Sequence, residues 1–246
     1  MKPGVHTTRL AVAKPLYSQV REVLLRRIGQ GEWGAGEALP NEFLLSSDFG
    51  VSIGTIRRAI EGLEQTGVLK RIQGRGTYVA GRGATALEEK FCRLRIGATP
   101  ADVVHELDGI SQRPSSGTES VALHLADGEH VTEIRQRVRV GKRIVGIEVS
   151  VVSAARFPRI ESQFSYGQLV YRVLAEYGAL IARASEHMAA VGADCDIAEA
   201  LGCEIDTPVL EVHRTAFTID KEPVELRRSW YLPGSVAGLT YASSIR

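Results

Sequence analysis

Residues 41–79, "NEFLLSSDFGVSIGTIRRAIEGLEQTGVLKRIQGRGTYV", are punctuated so closely that few folds can accommodate them. Asn41 can cap a short helix carrying Leu44, Leu45 and Phe49, and Gly50 ends it. Ser52 can cap a second helix whose apolar stripe is Ile56, Ile60 and Leu63, with Gly67 as its stop. Two strand-like runs follow, "VLKRI" and "GTYV", joined by Gln73-Gly74-Arg75-Gly76, whose glycines permit positive φ. Upstream, "PLYSQVREVLLRRIGQ" places Leu16, Val20, Val23, Leu24 and Ile28 at helical spacing, with Pro15 suited to a first turn. Three helices and a hairpin in about 65 residues predict a winged helix-turn-helix.

That order presents a particular surface. A capped helix start aims free N–H groups and the positive dipole end outward, and short residues there let the helix sink into a major groove. Arg57 and Arg58 lie off the buried stripe, and Arg75 at the hairpin tip can reach a neighbouring backbone or minor groove. Charge placement agrees. The chain's net charge is only +1, but residues 1–81 carry eleven Lys and Arg against seven Asp and Glu. For isolated arginines a solvated helix face or loop is the plain alternative; the capped helix, the wing and the basic bias together point to double-stranded DNA.

The same residues resemble the DNA-binding domain of the GntR family of bacterial transcription regulators. The likeness rests on the LP before the second helix, FGVS before the third, T-I-R-R-A-I on it, and G-R-G-T-Y-V in the hairpin. It implies that Ser52, Thr55 and Arg57 lie at the DNA, with Gly74, Arg75, Gly76 and Thr77 in the wing. The chain departs from the family at Phe43, where many members carry a polar or basic residue, and at Ile53, where arginine is common. No operator sequence carries over with the resemblance.

Residues 82–117 contain "GRGA", "GATP" and "QRPSSG" around a possible short helix from Asp102 to Leu107, and read as a linker leading into a second domain over 118–246. A weak internal repeat lies there. Residues 121–152 and 197–233 each read as a short helix, a strand, a tight turn and a strand, with Glu148 and Glu225 at matching places. β-branched runs joined by "VGKR" and "IDKE" predict antiparallel hairpins, and Leu169, Val170, Val173, Leu174 and Tyr177 mark a helix between them. The fold class is therefore α+β: an N-terminal winged helix-turn-helix, then an antiparallel sheet with helices packed on it.

This second part resembles the UTRA effector-binding domain of the HutC subfamily of GntR regulators, whose sheet is related to the chorismate lyase fold. The resemblance implies a pocket using an arginine pair on one strand, Glu148 on the next, Tyr171 on the middle helix and Glu225 on the last hairpin. With a one-residue gap the arginines are Arg137 and Arg139; without it those places hold Gln136 and Val138. Leu169 and Gly234 replace a serine and an aspartate common in the subfamily, which removes donors suited to a phosphate group. Independently of any family, Glu148 inside "VGIEVSVV" is costly to bury unless something satisfies it, whereas Arg135, Arg137 and Arg139 alternate toward one face that can simply be solvated.

The remaining sequence narrows the function class. The chain has no apolar run of membrane-spanning or signal-peptide length, and Cys92, Cys195 and Cys203 lack CxxC spacing. A cytoplasmic protein with buried thiols is expected, without a metal or cofactor, since the six histidines show no HxxxH spacing. The expectation is a homodimeric repressor that binds two-fold related half-sites under the control of a small metabolite. An enzyme using the lyase-like domain, with the helix-turn-helix as a docking module, is the second reading; no phosphate loop, nucleophile elbow or metal triad supports it.

Overall fold

The computed structural model describes residues 14–34, 36–80, 94–96, 99–100, 102–164, 167–179, 181–236 and 239–241. The N-terminal unit forms as its punctuation dictates. Helices α1 (Leu16–Gly29), α2 (Glu42–Phe49) and α3 (Ile53–Gln65) precede the hairpin β1 (Leu69–Ile72) and β2 (Gly76–Val79). Asn41 accepts from the Leu44 N–H at 2.9 Å and Ser52 from the Thr55 N–H at 3.2 Å, while Gly50 takes the left-handed conformation that closes α2. Leu24, Leu45, Ile56, Ile60 and Leu63 form the buried centre. Ala38 bridges to Tyr78, which gives the wing a short third edge.

The C-terminal unit is a six-stranded antiparallel sheet in the order β5-β6-β7-β10-β9-β8. Its strands are β5 (Val103–Pro114), β6 (His130–Val140), β7 (Arg143–Ser153), β8 (Ile181–Gly192), β9 (Pro208–Thr218) and β10 (Pro223–Tyr231). The expected helix from Asp102 to Leu107 is a correction: Val103 begins β5, whose residues pair with β6 from Val140 to His130. Part of the stretch read as a linker therefore belongs to the sheet, because "VVHEL" finds an exposed edge to extend.

The internal repeat is real. Helix α4 (Gly117–Leu123) with β6 and β7 mirrors helix α6 (Cys195–Leu201) with β9 and β10. The two copies meet where β7 pairs with β10, and the alignment that matches Glu148 to Glu225 also matches Ser150 to Arg227, which are directly opposite each other. Both glutamates therefore flank one central pair.

Helices α4 and α6 pack on the outer face of the sheet, Leu123 of α4 against Val131 and Val151 and Ile197 of α6 against Ile147 and Val209. The inner face carries helix α5 (Val170–Glu176), as expected from its apolar spacing, and the short strands β3 (Leu94–Ile96), β4 (Thr99–Pro100) and β11 (Leu239–Tyr241), which form a separate three-stranded sheet. Cys195 is exposed and Cys203 half-buried, so neither is the buried thiol expected, both lying at the ends of a surface helix; Cys92 lies outside the described residues.

The two units share one apolar core, in which Val20, Leu24 and Leu25 join Phe157, Val173 and Leu174. Helix α1 packs on α5. At the tip of the β9–β10 hairpin, Asp220 takes a hydrogen bond from Ser18 at 2.9 Å and an ion pair from the buried Arg21. Arg21 is so close to α3 that a methyl group at Gly62 would sit 3.0 Å from its Cδ, which explains why that turn of the helix carries glycine.

Candidate DNA-binding and effector sites

The N-terminal turn of α3 is exposed. Ser52 and Thr55 hydroxyls lie 2.9 Å apart at its exposed start, so the polar residues that cap the helix also face outward. Arg57 projects one turn further along, where Glu42 at the start of α2 accepts from its Nη2 at 2.8 Å and its Nε at 3.2 Å. Glu42 also accepts from Arg71 of the wing at 3.1 Å. One carboxylate thus fixes an arginine of the recognition helix against an arginine of the wing. These contacts raise the Arg57 guanidinium above its ordinary value, chiefly through the hydrogen bond to Glu42.

Gly74 and Gly76 both hold positive φ, which sharpens the wing and leaves Arg75 exposed at its tip, with Tyr78 donating to the Arg75 carbonyl at 3.0 Å. A groove of about 730 Å³ runs between α3 and the wing, lined by Phe43, Ile53, Arg57, Arg71 and residues 73–77. The structure thus brings Arg57, Gly74, Arg75, Gly76 and Thr77 to one concave surface. Arg58 turns elsewhere. Its guanidinium lies 4.2 Å from the ring centroid of Tyr17 on α1, a stacking contact between helices.

The second site is a buried polar network on the inner face of the sheet. Arg227, 5% exposed, donates to Glu148 at 3.0 Å, to Glu225 at 2.8 and 2.9 Å, and to Ser150 at 3.1 Å. Tyr231 donates to the other Glu148 oxygen at 2.5 Å, and His105 Nε2 approaches Glu148 at 3.6 Å. Gly146 makes room for that tyrosine: a Cβ there would lie 2.4 Å from the Tyr231 ring. Beside this group, Arg214 donates to the Tyr171 hydroxyl at 3.1 Å and pairs with Glu186 at 2.6 Å, while the Tyr171 ring lies 4.6 Å from the Arg227 guanidinium. Helix α5 therefore rests, through Tyr171, on both buried arginines.

Electrostatics follow from this crowding. Burial alone would raise the Glu148 carboxyl, but Arg227, His105 and Tyr231 outweigh it and hold the group well below the ordinary carboxylate range. Burial pushes the Tyr171 hydroxyl up to about 12, so it stays neutral. Two acceptors in the network, Gln136 Oε1 and Glu225 Oε2, are buried with no hydrogen-bond partner among the described residues.

Glu148, Tyr171 and Glu225 meet here, but Arg137 and Arg139 do not. Gln136 is the residue opposite Glu148, and successive strand residues alternate faces, so Arg137 points to the outer side. There it pairs with Asp108, and Arg139 reaches Glu106 at 3.3 Å. The ungapped alignment, with Gln136 and Val138 on the pocket face, is the one that the register supports. Among the described residues, no three His, Cys, Asp or Glu side chains are grouped to hold a metal ion, and no helix is long and apolar enough to cross a membrane.

Residues 16–79 match the profile of bacterial regulatory proteins of the gntR family, and residues 101–236 match the UTRA domain. The chain belongs to the gntR family, in the branch that carries a UTRA domain. It is 30% identical to the HTH-type transcriptional regulator Rv0792c of Mycobacterium tuberculosis, over 92% of this chain and 90% of that one. It is also 30% identical to the HTH-type transcriptional repressor NagR of Bacillus subtilis, over 88% and 90%. The fold is shared with PhnF of Mycobacterium smegmatis, at a TM-score of 0.55 and 22% identity over 92% of this chain and 98% of that one. These relationships make the chain a DNA-binding transcription regulator and set aside the enzyme reading of its second domain.

Sequence reading missed part of each site in this gntR-family chain. Arg227 carried a usable signal: it stands two residues after Glu225 on a strand, hence on the same face. Arg214, His105 and Glu186 come from three other strands that only the sheet order brings to that face, and Tyr241, whose hydroxyl accepts from Arg214 at 2.9 Å, comes from the separate small sheet. Glu42 is a first-turn acid of α2, and its pairing with both Arg57 and Arg71 depends on where the wing folds.

Proposed function

We propose that this regulator is a metabolite-responsive repressor that binds, as a homodimer, an operator with two-fold related half-sites. Ser52, Thr55, Arg57, Gly74, Arg75, Gly76 and Thr77 form the DNA surface, with Arg58 acting by seating α3 on α1. Glu148, Tyr171 and Glu225, joined by Arg227 and Arg214, form the effector site. Several relatives are named as repressors, among them NagR of Bacillus subtilis and MngR of Escherichia coli, which favours repression over activation.

The observation that carries this reading is that the buried network and the DNA-binding unit share their supports. Helix α5 holds Tyr171 on one side and packs on α1 on the other. Strand β10 holds Glu225 and Arg227, and the hairpin that it closes grips α1 through Asp220. A ligand that repartners Arg227 or Tyr171 shifts both contacts. The unpartnered acceptors at Gln136 and Glu225 favour a ligand that offers hydroxyl or ammonium donors. A hundredfold preference of that ligand for the non-binding arrangement corresponds to about 2.7 kcal/mol, enough to empty an operator held in modest excess.

The test is operator binding with and without metabolite. Duplexes selected from a random library by the full-length protein are expected to contain an inverted repeat. A thermal-shift screen of polyols, amines and organic acids is expected to yield a compound that raises the melting temperature and releases that duplex. Selection of no sequence would overturn the DNA surface, and a stabilising compound that leaves duplex affinity unchanged would overturn the coupling.

A further inference from the structure

Two large apolar side chains stand where a winged helix meets its duplex. Ile53 is the first residue of α3, between the capping Ser52 and the exposed Gly54, and is 39% exposed. Phe43, the second residue of α2, is 70% exposed. Both line the same groove as Arg57, Arg71 and the wing loop 73–77. Neither belongs to the buried centre, which Leu45 and Ile56 supply from the neighbouring turns. Covering the exposed part of both by a partner would be favourable.

The groove also holds Arg57, Arg71 and Arg75 against the single carboxylate of Glu42, so its charge is net positive, and the N-terminus of α3 lies beside it. Its occupant is therefore anionic, yet offers an apolar feature at the depth of a recognition-helix N-terminus. A major-groove edge has one projecting apolar group, the C5-methyl of thymine; the other bases are told apart there by their polar donors and acceptors. We propose that Ile53 and Phe43 form an apolar reading pair that selects thymine by its methyl group in each half-site, while Arg57, held by Glu42, supplies the adjacent polar contact. This rests on the DNA surface proposed above and goes beyond it by assigning the base chemistry.

The pair makes a distinctive prediction, because deoxyuridine keeps every hydrogen bond of thymidine and lacks only the methyl. Duplexes are first selected from a random library by the full-length protein, and each thymine of the recovered site is then replaced singly by deoxyuridine. Affinity is read by fluorescence anisotropy. At one thymine per half-site, loss of the methyl is expected to weaken binding roughly fourfold, the value of one buried methyl group. Ile53→Ala and Phe43→Ala should bring the thymine-to-uracil ratio at that position toward one, whereas Ile53→Val should retain most of it. Both side chains are surface residues, so circular dichroism and melting temperature should stay unchanged. The proposal is overturned if the recovered sites hold no fixed thymine, or if uracil substitution weakens Ile53→Ala and wild-type protein equally. Recovery of no sequence preference would instead remove the DNA surface itself.

Discussion

Asp220→Ala tests whether the two units behave as one body. Asp220 accepts one hydrogen bond from the buried Ser18 and pairs with Arg21, whose side chain is 6% exposed. Hydrogen bonds to a charged group are each worth about 1.5–3 kcal/mol, so losing both costs about 3–6 kcal/mol if Arg21 stays buried. The units can part and let Arg21 rehydrate, which limits the loss to the docking free energy; about 3 kcal/mol is expected. The chain supplies its own reporters, since its two tryptophans fall one in each unit: Trp33 beside Arg27 and Trp230 beside Arg228. In urea, Trp33→Phe and Trp230→Phe forms of the otherwise unaltered protein should unfold at coincident midpoints, because the core is continuous. With Asp220→Ala added, the Trp33 signal should move about 1 M or more below the Trp230 signal. Asp220→Asn, which keeps a hydrogen-bonding shape without the charge, should give about half that separation. Coincident midpoints in the Asp220→Ala protein, with a loss under about 0.5 kcal/mol, would refute the argument that this contact joins the units.

Further outcomes follow from the same geometry. Glu148→Gln should destabilise the C-terminal unit by about 3–5 kcal/mol in urea titration monitored at Trp230, because Arg227 keeps its burial and loses part of its compensation. Acid should act in the same place: the Glu148 and Asp220 carboxyls both lie below their ordinary values when folded, so their contribution is present above about pH 4–4.5 and is lost as pH falls toward the folded values. Circular dichroism melts between pH 7 and 3 should show that decline, shallower in Glu148→Gln. Arg57→Ala should weaken binding to a selected duplex by about 1–3 kcal/mol and relax its sequence preference, whereas Arg75→Ala should weaken all duplexes similarly and lower the salt slope by about one. Ser52→Ala should cost about 1 kcal/mol of N-terminal stability through the lost cap, read at Trp33.

The sequence by itself determined the local elements and the character of the front domain. Asn41, Ser52, Gly50, Gly74 and Gly76 act within a few residues of themselves, so their effects on helix ends and on the hairpin are readable without knowledge of the rest. The repeat around Glu148 and Glu225 was legible for the same reason, since strand alternation is a local property. Tertiary structure alone decided what those residues meet. The pairing of β6 with β7 put Gln136 rather than Arg137 opposite Glu148, and one residue of register separates a buried side chain from a solvated one. Arg214 reaches Tyr171 only because α5 lies on the inner face of the sheet, and Asp220 reaches Arg21 only because the β9–β10 turn projects to α1. Contacts between residues some two hundred positions apart have no period to betray them, and in this chain Ser18 and Arg21 meet Asp220 in that way to join the two units.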